Sequence, residues 1–357
     1  MSKDIHKKKH LSSFQLIILG FAGVILLGAI ILMLPVSSAE GVMTPFNQTL
    51  FTSTSAVCVT GLAVLDTGSY WSVFGQVVIL LLIQIGGLGV VTVAVSVFML
   101  SGRKISLMQR STMQNAISAH KVGGIVRLTK FILKGTLFIE MAGALALLPV
   151  FYHDFGRKGI WMAVFHSISA FCNAGFDILG TPANPFPSIT AYAGNPIVNV
   201  VIMFLIIAGG IGFLTWEDIC INKIHFRKYH MQSKIILVTT AFLIVLPAIF
   251  FFFSDFTHLS LGKRLLASAF QAVTPRTAGF NTMDISKMTE VSKAMIIILM
   301  LVGGSPSSTA GGMKTTTFTV LILNAFATFR SQENVETFGR RIECSVIKNA
   351  STIAMMY

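Results

Sequence analysis

Charge is what this sequence has least of. Only 11% of its 357 residues are Asp, Glu, Lys or Arg, against roughly a quarter in water-soluble domains. A surface so sparsely charged faces something other than water, and a mean hydropathy of +0.76 agrees. Cysteine is scarce as well. Cys58, Cys172, Cys220 and Cys344 show no Cys-x-x-Cys spacing and fall on separate segments, which argues against a disulfide framework or a zinc site. Neither a His/Asp cluster nor a soluble domain is evident, so a membrane enzyme or sensor is disfavoured and no covalent chemistry is expected.

Long apolar runs fill the space that charge leaves. Leu16–Val36 carries no charged residue and reaches the ~20 residues that a spanning helix needs. Further candidates are Gly75–Leu100, Phe131–Phe151, Pro196–Leu214, Ile235–Phe253 and Ala294–Ala325, the last interrupted by glycines and polar residues. The basic start and Ser37-Ser38-Ala39 give Leu16–Val36 some signal-peptide character, but signal cores run only ~7–15 residues. An uncleaved first span is expected.

The cations are placed unevenly. Residues 37–74 have none, whereas 18 of the 27 fall in four connections. These hold Lys3, Lys7, Lys8 and Lys9; Arg103, Lys104, Arg110, Lys121, Arg127 and Lys130; Lys223, Arg227, Lys228 and Lys234; and Arg330, Arg340, Arg341 and Lys348. Positive-inside bias puts the N-terminus and these connections in the cytoplasm. The net charge of +13 is therefore a topology signal rather than a nucleic-acid footprint.

The chain also repeats itself. Leu34-Pro35, Leu148-Pro149 and Leu246-Pro247 close three spans, and each is followed by a polar stretch too short to cross: Phe51–Gly61, Phe165–Gly175 and Ala269–Gly279. A second span with a glycine cluster follows, at Ile85–Gly89, Ala208–Gly212 and Val302–Ser305. The expected organisation is a cytoplasmic N-terminus (1–13), repeat 1 (14–101), a cytoplasmic linker (102–130), repeat 2 (131–220), a linker (221–234), repeat 3 with a broken second span (235–326), and a linker with the start of a fourth repeat (327–357). Each unit crosses twice, so all keep one orientation and can surround an axis along the membrane normal. The fold class is an all-α multi-pass membrane protein of parallel span–pore-loop–span repeats around a pseudo-fourfold axis, three present and a fourth only begun.

Irregular backbone at membrane depth survives only where protein buries it or water lines it. Three polar loops in register therefore point to one aqueous path. A half-helix that turns at glycine aims carbonyl oxygens at that path, and such oxygens can replace the hydration shell of a cation. The predicted filter is Cys58, Val59, Thr60 and Gly61; Cys172, Asn173, Ala174 and Gly175; and Arg276, Thr277, Ala278 and Gly279. Side chains differ among the three, which a backbone site tolerates; a bare monovalent ion, bound as the filter's metal by backbone carbonyls, suits it best. Asp66, Asp177 and Asp284 follow the glycines closely and are candidates for gathering cations at the outer mouth. Glu140 is read as a helix-interface partner rather than a proton relay, His166 as a packing residue, and Arg276 as pointing behind the filter.

Repeat 3 departs from its fellows at Gly303, Gly304, Ser305, Pro306, Ser307, Ser308, Thr309, Ala310, Gly311, Gly312 and Lys314. Proline and glycines break the helix there, and the stretch is read as a gating loop across the path. Ala310–Thr315 echoes a phosphate-binding loop but lacks its spacing and its strand–helix setting.

These residues resemble the Trk/Ktr/HKT superfamily of potassium transporters, most closely its KtrB/KtrD-type membrane subunit. The resemblance rests on Val59–Leu62, Gln84–Gly89, His166–Ala170 with Asn173–Phe176, Gln271–Asn281 and Gly303–Lys314, and it covers essentially the whole chain. It implies potassium uptake across a bacterial cell membrane, sodium dependence in some members, no bound organic cofactor, and a homodimer with one pore per subunit. It also implies a cytoplasmic ring of nucleotide-binding RCK subunits acting on the intramembrane loop. The superfamily has four repeats. A fourth glycine at comparable spacing falls past Tyr357, and Thr309-Ala-Gly311 does not supply it, because Gly303 aligns with Gly86 and Gly209. A chain shortened before its fourth pore loop is the expectation. A sodium- or proton-coupled organic-solute transporter with discontinuous helices is the alternative; it calls for paired intramembrane carboxylates and inverted repeats.

Overall fold

The computed structural model describes residues 12–100, 111–114 and 124–357. The cations Lys3, Lys7, Lys8, Lys9, Arg103, Lys104, Arg110 and Lys121 lie outside the described residues, with most of the 1–13 and 102–130 segments.

The first span, α1 (Ser13–Met33), is opened by a capping box: Gln15 N donates to the Ser12 hydroxyl at 3.2 Å and Ser12 N to Gln15 Oε1 at 2.9 Å. It stops because Leu34 precedes a proline, whose ring pushes the preceding residue out of the helical region; Leu34 sits at ψ 140. A short helix, α2 (Phe46–Val57), then packs against α1, and α3 (Val73–Leu88) follows. At 1.5 Å per residue α2 is ~18 Å long, well short of the ~30 Å hydrocarbon core. Repeat 2 has the same parts: α5 (Ile125–Phe155), α6 (Lys158–Phe171) and α7 (Pro196–Gly210). In repeat 3 they are α9 (Met231–Ser254), α10 (Leu261–Val273) and α11 (Glu290–Leu301). Among the described residues, the most extensive helix packing is between each first span and its own short helix.

Repeats 1 and 2 share their packing almost atom for atom. A Cβ on Gly28 would stand 2.5 Å from Ser53 Oγ and 2.7 Å from Leu82 Cδ1; on Gly143 it would stand 2.5 Å from Ser167 Oγ and 2.8 Å from Leu205 Cδ1. In both repeats the serine donates to a carbonyl of the first span, Ser53 to Ile25 and Ser167 to Glu140, at 2.7 Å each. Neighbouring repeats are joined by α3 against α6 and α7 against α10. Each second span thus leans on the short helix of the next repeat.

Three features differ from the sequence expectation. Gly75–Leu100 is not one straight span: α3 ends at Leu88, and α4 (Val90–Leu100) leaves at 101°. The second span of repeat 2 likewise turns by 98° into α8 (Phe213–Asn222). The hinges are Gly89 (φ +84) and Gly212 (φ +89), in a region that costs glycine little and other residues more. Second, Pro149 and Pro247 do not end their helices, which run on to Phe155 and Ser254. The apolar runs continue past both prolines, and burial of Phe151 and Phe251 holds the extra turns. Third, only Ser13–Met33, Ile125–Phe155 and Met231–Ser254 are single helices long and apolar enough to cross a membrane; the bent pairs raise the number to five among the described residues.

Past the interrupted span, α12 (Thr315–Phe329) leads to a hairpin of β1 (Glu336–Thr337) and β2 (Arg340–Arg341). Its turn residues Phe338 and Gly339 both have positive φ, as tight hairpins favour. The last helix, α13 (Cys344–Met356), packs on α12.

Candidate ion pathway

Each short helix ends at the loop that the sequence singled out, and two of the three ends have the same hydrogen-bonding pattern. After α2, Val59 N donates to Ala56 O and Thr60 N to Ser55 O; after α6, Asn173 N donates to Ala170 O and Ala174 N to Ser169 O. This is the Schellman pattern, which needs a left-handed residue just past the helix, and Val59 and Asn173 both sit at φ +56. In repeat 3, where Pro275 carries no N–H, the loop closes through Ala278 N to Thr274 O, with Thr277 left-handed at φ +63. All three loops then reach a second left-handed residue, Gly61 (φ +73), Gly175 (φ +70) or Gly279 (φ +82), two positions on.

Left-handed residues two positions apart bend each loop back on itself, which lets its carbonyl oxygens face one path, as a dehydrated cation needs. The helix ends add to it, since the C-terminus of a helix carries partial negative charge. Side chains brace the loops from behind. Ser169 Oγ donates to Phe176 O at 2.7 Å and Thr274 Oγ1 to Phe280 O at 2.5 Å, fixing the carbonyl after each glycine.

The loops adjoin one another in chain order. A Cβ on Gly61 would lie 2.5 Å from Ala174 O, and one on Gly175 2.5 Å from Ala278 O. Repeat 2 lies between the other two, which is why Cys172, Asn173 and Ala174 are buried, whereas Cys58, Thr60 and Gly279 are exposed. Thr60 on one side and Thr277, Gly279, Gln271 and Asn281 on the other line a cleft of about 220 Å³.

Arg276 is buried beside the third loop, and its guanidinium reaches Thr240 of α9 at 3.4 Å. Glu140 accepts from Gln84 Nε2 at 3.3 Å, and Cys172 Sγ donates to Gln84 Oε1 at 3.7 Å. His166 is enclosed by Phe151, Phe165 and Phe280, its Nδ1 2.8 Å from Met162 O.

The acidic trio divides. Asp66 is buried and accepts from Ser69 N and Oγ, each at 2.7 Å, and from Phe186 N at 2.8 Å. Those bonds tie the loop after Gly61 to the loop after Gly175. Asp284 is exposed, accepts from Ser286 and pairs with Lys287 at 3.5 Å; chiefly the Ser286 hydroxyl holds its carboxyl below the usual range. Asp177 is half-buried; burial pushes its carboxyl up to about 6, opposed by the Leu179 amide and helped by the charge of Asp66.

The glycine-rich segment of repeat 3 lies against the loops from the other side. It starts from a bridge in which Gly303 N donates to Met313 O and Gly304 N to Gly311 O. It is seated on the bend of repeat 2 through Ser305 N to Gly210 O, Thr309 N to Gly209 O and Phe213 N to Ser307 O. Gly311 N donates to Thr277 Oγ1 at 3.2 Å, and Lys314 Nζ donates back to Ala310 O at 2.7 Å. Gly209, Gly210 and Phe213 were not singled out from sequence as the seat of this loop. Their signal was the glycine cluster, read there only as a landmark of the second span.

Repeated units of long helix, short helix and long helix, apolar enough to cross a membrane and with adjoining glycine loops, define a multi-pass membrane protein. The comparisons place it more narrowly. A family model described as "Cation transport protein" (TrkH) matches residues 11–356. The chain is 40% identical over 352 residues to the potassium/sodium uptake protein NtpJ of Enterococcus hirae, covering 97% of this chain and 76% of that one. It is 39% identical to the Ktr system potassium uptake protein B of Bacillus subtilis, over 96% and 76%. Its fold matches the crystal structure of the potassium transporter TrkH from Vibrio parahaemolyticus with a TM-score of 0.74 at 17% identity, over 98% of this chain and 70% of that one. The chain belongs to the TrkH cation transport protein family, a family of transporters rather than enzymes.

Proposed function

We propose that this chain takes up potassium through a filter formed by backbone carbonyls of Cys58–Gly61, Cys172–Gly175 and Arg276–Gly279. The observation that carries the reading is the contact between loops: Gly61 abuts the Ala174 carbonyl, and Gly175 abuts the Ala278 carbonyl. Only glycine allows neighbouring loops to approach so closely with φ near +70. The relatives named for potassium or potassium/sodium uptake support the choice of ion. The Gly303–Lys314 loop serves as the gate, and Asp177 supplies negative charge at the outer mouth. The N-terminus and the cation-rich connections are cytoplasmic, in the membrane of a bacterium. Two copies assemble, each with its own pore, and a ring of nucleotide-binding subunits acts on the gate from the cytoplasm.

The test is rubidium uptake by the full-length protein with Gly61→Ser. A raised KM for rubidium and weaker discrimination against sodium, at normal membrane abundance, is the expected result. Unaltered affinity and discrimination would sink the filter assignment.

A further inference from the structure

The intramembrane loop meets the second filter loop at one buried polar junction. Thr309 Oγ1 donates to Phe171 O, the last residue of α6, at 2.9 Å, and accepts from Asn173 Nδ2 at 2.9 Å. Gly209 makes the room: a Cβ there would lie 1.9 Å from Phe171 O, 2.7 Å from Thr309 Oγ1 and 2.9 Å from Asn173 Nδ2. Asn173 and Thr309 are both buried.

We propose that this junction is a latch, in which the Thr309 hydroxyl holds the loop shut against the filter and Asn173 couples the loop's position to the filter backbone. The inference rests on reading Gly303–Lys314 as a gate and names the atoms that keep it closed. Asn173 is a positioning residue here: its backbone is the left-handed turn before Gly175, while its amide grips the loop.

Chain geometry alone does not account for the contact. Asparagine tolerates positive φ better than most residues, which explains its place at the turn. It does not explain why the amide is aimed at Thr309, and Val59 makes the same turn in repeat 1 with no polar side chain. Thr277, the left-handed residue of repeat 3, also holds the loop, by accepting from Gly311 N at 3.2 Å. Two of the three turns therefore grip the loop, two residues apart, at Thr309 and Gly311.

The energetics favour the latched position. If the loop moves away, Phe171 O and Asn173 Nδ2 both lose the Thr309 hydroxyl, and a buried polar group short of good partners is destabilising. The remaining option for Asn173 Nδ2 is Phe171 O itself, at 3.4 Å. Coupling of this kind is reciprocal: an ion that orders the Asn173–Gly175 backbone tightens the latch, and a displaced loop loosens the filter.

The experiment compares Thr309→Val, Thr309→Ser and Ser305→Ala in the full-length protein, each measured for rubidium uptake and for sodium competition at matched membrane abundance. Thr309→Val removes the hydroxyl at nearly constant volume. It should raise the maximal rate about three- to tenfold, the order expected for one lost hydrogen bond, and weaken discrimination against sodium. Thr309→Ser keeps the hydroxyl and should match the parent in both. The Ser305 hydroxyl is bonded to Thr315 at 3.0 Å rather than to a filter residue, so Ser305→Ala should raise the rate without touching discrimination. If Ser305→Ala raises the rate and Thr309→Val does not, the loop gates but the latch is refuted. A rise in Thr309→Ser equal to that in Thr309→Val also refutes it, because the hydroxyl would then be irrelevant. If no variant changes rate or discrimination, the gate reading falls with the latch.

Discussion

Replacing Gly175 with alanine puts the account under the most strain, because a single methyl group should damage ion binding while sparing the fold. The new Cβ would stand 2.5 Å from Ala278 O and 3.0 Å from the Gly279 Cα. Ordinary contact needs well over 3 Å, so the Ala278 carbonyl or the Gly175 loop must retreat by roughly 0.5–1 Å. A displacement of that size is enough to spoil a preorganised site. Loss of one charge-directed carbonyl contact costs about 1.5–3 kcal/mol, which corresponds to a roughly 10- to 100-fold rise in the KM for rubidium. Holding alanine at φ +70 adds only about 1–2 kcal/mol of backbone strain, too little to unfold a helical bundle of this size. Gly41 is the control: it also sits at φ +70, with nothing within 4 Å of a Cβ. Gly41→Ala should carry the strain without the clash and leave uptake near that of the parent. Rubidium uptake in a strain without other potassium uptake systems, with membrane abundance measured on the same cells, separates the two. Equal KM values for Gly175→Ala and Gly41→Ala would refute the reasoning, since strain alone would then explain any change.

Other expectations follow from single side chains. Glu140→Gln preserves an amide–amide bond to Gln84 and should keep near-parental uptake, whereas Glu140→Ala leaves the Gln84–Cys172 pair without its brace and should lower membrane abundance; equal abundance in both would remove Glu140 from that role. Asp177 titrates near pH 6, so its negative charge is present above that pH and lost below it. Uptake at limiting rubidium should fall as external pH drops from 7 to 5, and Asp177→Asn should flatten that step; an unchanged pH profile in the variant would clear Asp177 of any part in attracting cations. Asp66→Asn weakens the bonds to Ser69 and Phe186 and should reduce thermal stability by about 1–3 kcal/mol, seen as a lower unfolding temperature of the purified protein with KM unchanged.

Much of this architecture could be read before any coordinates. Hydropathy found the first spans because an uncharged run such as Leu16–Val36 is longer than a signal core and long enough to cross, and the glycines at 61, 175 and 279 marked the loops because they recur in register. Direction was harder to read. Nothing in the composition of Gly75–Leu100 distinguishes one straight span from two helices at 101°, since both halves are equally apolar; the bend depends on φ at Gly89. Prolines 149 and 247 misled for the opposite reason. The local rule says stop, yet packing of Phe151 and Phe251 outweighs the lost backbone bond and the helix runs on. For the acidic residues, position was legible but partners were not, and Asp66 is tied to the backbone of Phe186, 120 residues away. The seat of the glycine-rich loop was illegible for the same reason, because Gly209 and Phe213 meet Thr309 and Ser307 only in three dimensions.

The central claim is that ions bind among the carbonyls of the three glycine loops. It is tested most directly by locating thallium, a heavy stand-in for potassium, from its anomalous scattering in crystals of the full-length protein. The account predicts peaks on the axis enclosed by the backbone oxygens of residues 58–61, 172–175 and 276–279, lost on exchange into sodium. Thallium bound elsewhere in the membrane domain, with that axis empty, would contradict it.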